Sequence, residues 1–248
     1  MANGRALHDR LWQSGARLLR LVYPATCRAC RVAPAEIAAL FCVNCFDQMP
    51  IIPTPVCLQC AAPLPLGTPL RRCTECAAAP PAFDRAVTPF CYEGTAALAV
   101  QHLKYDRKTP LARPMADRLA AYFSEAAADG VAAVPLHPSR LRQREMNPAL
   151  LLARDLARRL CLPLSVDDLV RTRATVPQVG LSKAARAENV KGAFCVARPE
   201  AIRGMQVLLL DDVYTTGATL REGAAALMAA GACGVTVAAF ARAIPWEA

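Results

Sequence analysis

Val207-Leu208-Leu209-Leu210-Asp211-Asp212-Val213-Tyr214-Thr215-Thr216-Gly217-Ala218-Thr219 opens on four consecutive apolar residues, followed by two adjacent carboxylates and a turn rich in hydroxyls. The apolar run suits a central parallel strand buried on both faces. Its expected bounds are Gln206–Leu210, ending at the acid pair. Thr215-Thr216-Gly217 then leads into a helix over 217–230, with Gly231 as its stop. Backbone amides of such a turn and the helix N-terminus present donors of positive partial charge to an anion. Thr215, Thr216 and Thr219 add hydroxyls, and Gly217 allows a phosphate to approach the backbone closely. The carboxylates of Asp211 and Asp212 can accept hydrogen bonds from vicinal sugar hydroxyls, or face the water shell of a magnesium ion. Sugar hydroxyls and a terminal phosphate together describe a ribose 5-phosphate. A Walker-type site would need GxxxxGK[ST], and a dinucleotide fold GxGxxG; the sequence has neither. An ordinary strand–cap–helix with a solvated acid pair is the plainer alternative.

Outward from this stretch, strands are expected at Ala86–Tyr92, Gly130–Leu136, Ala193–Val196 and Gly234–Arg242, and helices over 95–104, 110–128 and 148–161. Asn147 is placed to cap the last of these, with Pro148 at its first helical position. Short apolar strands alternating with helices imply an α/β fold, a mainly parallel twisted sheet with flanking helices. Ligands in such sheets bind beyond the carboxyl ends of the strands. Residues 171–192 carry Arg171, Arg173, Lys183, Arg186 and Lys191 but few core-forming side chains. That texture fits a functional lid, a solvated basic loop or a nucleic-acid contact.

Toward the N-terminus the texture changes. Eight of the twelve cysteines fall in four CxxC pairs: Cys27/Cys30, Cys42/Cys45, Cys57/Cys60 and Cys73/Cys76. Two such knuckles complete a closed tetrahedral Cys₄ shell, so the pairs predict two structural zinc ions without catalysis at the metal. Sequential quartets are expected; a cross-braced arrangement would join pairs one with three and two with four. Cys91, Cys161, Cys195 and Cys233 sit among apolar residues and read as small buried hydrophobes. The chain thus divides into an amphipathic helix over 1–22, a cysteine-rich zinc module over 23–80, and an α/β domain over 84–248.

The formal charge of +9 suggests phosphate or nucleic acid as a partner. Two zinc ions on eight thiolates would lower it to about +5, which weakens that argument. Only 6% of residues are aromatic, too few for a rich base-stacking surface. The basic N-terminal stretch lacks the unbroken apolar segment of a secretory signal, and no apolar run is long enough for a transmembrane helix. A cytoplasmic location follows as an expectation, in which cysteine pairs hold metal rather than form disulfides.

The segment Asp211–Thr219 resembles the signature by which type I phosphoribosyltransferases bind 5-phosphoribosyl 1-pyrophosphate (PRPP). The whole chain resembles the ComF (ComFC/GntX-like) family, a double zinc ribbon joined to such a domain. Leu103-Lys104-Tyr105 resembles the family's LKY; Arg171, Thr175, Gln178, Leu181, Arg186, Asn189 and Phe194 fit a spaced family pattern; Arg142, Arg144, Asn147 and Ala149 fit a third. Glu145, Met146 and Pro148 depart from that third segment, where the family has Gly, Phe and Gln. The resemblance implies that Asp211, Asp212, Thr215, Thr216, Gly217, Ala218 and Thr219 hold the ribose 5-phosphate of PRPP, with magnesium. It places the pyrophosphate on the loop at Leu136, His137 and Arg140, under a lid where Lys183 and Arg186 assist its departure. It implies transfer of phosphoribosyl to an acceptor such as an amine, and a role in DNA uptake and transformation. The alternative is a non-catalytic module that senses PRPP or a nucleotide and contacts single-stranded DNA or DNA-uptake proteins. The acceptor and the oligomeric state are not legible.

Overall fold

The computed structural model describes residues 25–124, 128–176, 180 and 182–244; the helix expected over 1–22, and Gln178 and Leu181 of the spaced pattern, lie outside them. The chain forms two compact units, one running to Gln48 and one from Met49 onward.

In the first unit, Cys27 opens a tight turn in which Arg31 N–H donates to Cys27 C=O at 2.8 Å. The second knuckle runs into the short helix Val43–Asp47, capped by Cys42, whose Sγ accepts from Cys45 N–H. Phe41 and Phe46 are buried, with ring centroids 6.1 Å apart. So small a core needs a metal staple.

The second unit is built on a parallel sheet. Strand β1 is Arg85–Val87, β2 Phe90–Cys91, β3 Gly130–Ala133, β4 Leu164–Ser165, β7 Gln206–Tyr214 and β8 Gly234–Arg242. The order is β1-β8-β7-β3-β4, with β2 also on β8, and every pairing is parallel. Leu208, Leu209 and Leu210 are fully buried, as a strand covered on both faces requires. Each contributes roughly 1.5–3 kcal/mol by burial. Val207 and Leu209 pack in one cluster with Leu220, Ala224 and Leu227 of helix Ala218–Ala229. Helix Pro148–Leu160 lies against β3 and β7 and against helix Ala112–Ala120. Asn147 caps it as expected, its Oδ1 accepting from Ala149 N–H at 3.1 Å.

Several expectations change. The strand through the acid pair does not end at Leu210 but continues to Tyr214, because β8 keeps pairing with it: Asp211 faces Ala239 and Tyr214 faces Arg242. The strand expected over Ala86–Tyr92 is broken at Thr88-Pro89, where proline has no N–H to give the ladder. The helix expected over 110–128 is a 3₁₀ turn, Thr109–Leu111, followed by Ala112–Ala120. The strand near Ala193–Val196 is β6, Phe194–Val196, and it lies outside the parallel sheet. It pairs antiparallel with β5, Leu169–Arg171, which the sequence reading missed. Of the four isolated cysteines only Cys91 is buried; Cys161, Cys195 and Cys233 are exposed. Cys161 occupies a left-handed helix end, and Cys195 is the outward residue of β6, beside the inward Phe194.

Candidate functional site

At the carboxyl end of β7 the second unit opens a cleft of about 550 Å³. Asp211 and Asp212 both line it. Lys104, from helix Gly94–Tyr105, places its Nζ 2.7 Å from Asp212 Oδ1, and both side chains are largely buried. Asp211 Oδ1 accepts from Asp212 N–H at 2.8 Å. Burial, followed by the neighbouring Asp212 carboxylate, pushes the Asp211 carboxyl up to about 7, against the opposing pull of Lys104 and Arg171. Burial pulls the Lys104 ammonium down, but Asp212, Asp211 and Tyr92 together outweigh it and hold it above its ordinary value. The site therefore holds two closely spaced acids and one cation in a poorly hydrated place, an arrangement of the kind found at functional sites.

Beyond Tyr214 the chain turns through Thr215-Thr216-Gly217 into helix Ala218–Ala229. Gly217 has φ 77° at the helix cap, where any side chain is strained. A Cβ there would also lie 2.7 Å from Tyr214 Cε1, and closer still to Cζ and Oη. Thr215, Gly217, Ala218 and Thr219 line the cleft. Thr216 does not; its Oγ1 accepts from Ala218 N–H at 3.4 Å and so braces the turn.

The remaining expected residues are spread around this floor. Leu136 and Arg140 line the cleft, whereas His137 caps helix Pro138–Arg144 through Nδ1, 2.7 Å from Ser139 Oγ. This stretch is a helix where the sequence suggested a loop. Burial and the nearby Arg144 lower the Arg140 pKa. Arg186 lines the cleft from helix Lys183–Val190. Lys183, on the same helix, is not in the lining and pairs instead with Glu75 of the second cysteine module. The segment expected as a lid is thus partly helical, and the Asn189 side-chain amide clasps the Val176 backbone, its Oδ1 accepting from Val176 N–H at 3.2 Å and its Nδ2 donating to Val176 C=O at 3.0 Å.

Among the cations of the lining, Lys104 and Arg144 carried no assigned role in the sequence reading, and Arg171 only that of one basic residue of the expected lid. Their signal was membership in the family patterns. Arg171 is 8% exposed and stacks on Phe194, with Cζ 5.2 Å from the ring centroid. Its Nη2 donates to Thr175, while its buried Nε has no partner.

The cysteines group in sequential quartets, Cys27/Cys30/Cys42/Cys45 and Cys57/Cys60/Cys73/Cys76, their sulfurs all within 4.8 Å of one another. The cross-braced grouping is excluded. Cys60 and Cys73 sulfurs are 3.6 Å apart, close to the roughly 3.8 Å edge of a tetrahedron with 2.3 Å Zn–S bonds. Around Cys57, burial favours the thiol, but amide hydrogen bonds from Cys60, Cys73 and Gln59 outweigh it and lower the pKa to about 7. Burial pushes the Cys60 thiol of the same quartet up to about 11, so the case for metal rests on the geometry: four converging sulfurs in each cluster fit structural zinc.

Residues 146–244 match the phosphoribosyl transferase domain family and residues 18–78 the double zinc ribbon domain family. The chain is 32% identical over 224 residues to the DNA utilization protein YhgH of Salmonella typhi, covering 88% of this chain and 96% of the relative. It is 30% identical over 189 residues to competence protein F of Haemophilus influenzae, covering 73% and 81% respectively. A solved structure of glutamine PRPP amidotransferase from B. subtilis aligns with a TM-score of 0.39 and 22% identity, covering 56% of this chain and 30% of that one. No helix among the described residues is long and apolar enough to cross a membrane.

Proposed function

The chain belongs to the ComF family of double-zinc-ribbon phosphoribosyltransferase-like proteins, and from that premise we propose that it binds PRPP in the cleft and transfers its phosphoribosyl group to an acceptor. The observation that carries this reading is the cleft itself. It gathers a buried acid pair, a turn of donors at a helix N-terminus and a basic wall of Arg140, Arg171 and Arg186. Asp211 and Asp212 accept from the ribose 2- and 3-hydroxyls. The amides after Thr215 and the hydroxyls of Thr215 and Thr219 receive the 5-phosphate. The arginines face the pyrophosphate, whose charge grows as the bond to C1 breaks.

An amine acceptor forms the new C1–N bond and gives up a proton; the C1–O bond breaks and its electron pair leaves with pyrophosphate. The protein's part is positioning and charge stabilisation. Magnesium bound with PRPP supplies charge neutralisation on the pyrophosphate, and the adjacent carboxylates fit its water shell.

The test is calorimetry of PRPP binding, followed by assay of pyrophosphate release with candidate amines and bases. Asp211→Asn with Asp212→Asn removes two charge-assisted acceptors, each contributing about 1.5–3 kcal/mol, so affinity is expected to fall at least about tenfold. Equal affinity in wild type and double variant refutes the site. A second reading is favoured by the relatives' names, which concern DNA utilization and competence. Under it the same cleft binds PRPP without turnover and reports to a DNA-handling partner. Absence of pyrophosphate release with any acceptor, alongside PRPP binding, selects that reading.

A further inference from the structure

Three cations on elements that frame the cleft reach the second cysteine quartet. Arg242, the last residue of β8, lies beside Tyr214 in register. Its Cζ stands 4.2 Å over the Tyr214 ring, and its Nη1 donates to Cys60 C=O at 2.7 Å. Tyr214 is 2% exposed, and its ring fills the space that a Cβ of Gly217 would take at the turn. Arg221 belongs to the helix that starts at this turn; its Nη1 donates to Ala79 C=O at 3.2 Å and its Nη2 lies 3.9 Å from Cys76 Sγ. Lys183 pairs with Glu75, between Cys73 and Cys76, and begins the helix that carries Arg186 into the cleft.

Each contact has a physical reason. Four thiolates around one Zn²⁺ carry a net charge of about −2. Guanidinium groups at sulfur and at knuckle carbonyls are the outer partners such a shell recruits. The same groups occupy positions from which they fix the turn: Arg242 holds Tyr214 by cation–π contact, and Tyr214 occupies the space beside Gly217. Without the metal the knuckle carbonyls and sulfurs lose their fixed places, and the phosphate turn loses its backing.

We propose that the second cysteine quartet sets the phosphate turn of the cleft: metal at Cys57/Cys60/Cys73/Cys76 and phosphate at Thr215–Thr219 stabilise each other, through Arg242 and Tyr214 as positioning residues. This rests on the PRPP reading above. Coupling between two sites is reciprocal. PRPP therefore protects this quartet from losing its metal, and leaves the first quartet unprotected.

The experiment uses the full zinc-loaded chain. A zinc-selective chelator is added with an alkylating reagent, with or without saturating PRPP and magnesium, and modification of each cysteine is followed by peptide mass spectrometry. Calorimetry on the same samples reports PRPP binding. Alkylation of Cys57, Cys60, Cys73 and Cys76 is expected to slow about fivefold or more with PRPP, while Cys27, Cys30, Cys42 and Cys45 react at an unchanged rate. Arg242→Met keeps the apolar stem but removes the fork; it should retain two zinc ions, bind PRPP about tenfold more weakly and lose the selective protection. PRPP binding with no change at either quartet, or equal protection of both, overturns the inference and leaves the PRPP reading standing. Retained protection in Arg242→Met overturns the assigned route. Absence of PRPP binding in wild type overturns both readings together.

Discussion

Replacing Asp211 by Asn should make the protein more stable while it loses its ligand, and the gain should depend on pH. Asp211 sits at about 7 in the folded chain against an ordinary value of 3.8. An acid whose folded pKa is raised favours the folded state only while protonated. Between about pH 4 and 7 the native chain holds a proton that the unfolded chain has released, so stability falls as pH rises through this window and is lowest above it. At about 1.4 kcal/mol per pH unit, the displacement sets a ceiling of about 4 kcal/mol. Asp211 keeps some contact with water, so screening reduces the usable part to about 1–3 kcal/mol. Asn keeps an oxygen for the Asp212 N–H, so the 2.8 Å bond survives. The variant should melt about 3–9 °C above wild type at pH 8 and nearly with it at pH 4.5. Scanning calorimetry across pH 4.5–8, with zinc content verified, measures this. A variant no more stable than wild type at pH 8, or equally stabilised at both pH values, refutes the claim that the acid pair is held at a cost in stability for its function.

Lys104→Met should act in the opposite sense: the acid pair loses the cation 2.7 Å from Asp212, and stripping one partner from a largely buried pair costs about 2–4 kcal/mol, measurable by urea unfolding at pH 8. Gly217→Ala forces a side chain into a left-handed cap against Tyr214; about 1–3 kcal/mol of strain is expected, with PRPP affinity falling at least tenfold in calorimetry. Metal analysis of freshly purified, reduced protein should find two zinc ions, and Cys57→Ser should lower the melting temperature of the α/β unit more than Cys27→Ser, because Cys57 packs in that unit's core. Arg186→Ala should reduce turnover more than PRPP affinity, as loss of a transition-state contact does; Lys183→Ala removes an exposed pair with Glu75, worth at most about 1 kcal/mol, and should leave the rate of pyrophosphate release much closer to wild type.

Local chemistry made much of this protein legible from its residues in order. The CxxC spacing made the four knuckles legible, because two sulfurs and the turn amides of each converge within four residues, whereas the sequential grouping of the knuckles was decided by the fold. The apolar run Val207–Leu210 and the Thr-Gly turn announced a buried parallel strand leading into a helix, and Asn147-Pro148 marked another helix start. These signals lie within a few residues of what they specify. What depended on partners distant in sequence came only with the tertiary structure. β7 runs past the acids to Tyr214 because β8 continues to offer it hydrogen bonds. Lys104 becomes the counter-charge of Asp212 because helix Gly94–Tyr105 delivers it there. Lys183, by charge as good a cleft residue as Arg186, pairs instead with Glu75, because the fold brings that carboxylate, 108 residues away in sequence, to the first turn of its helix. Arg242, Tyr214 and Cys60 meet only when the sheet closes over the second quartet. Short-range pattern states which chemistry a segment can do, whereas the folded packing selects which side chains share one low-dielectric space and act on each other.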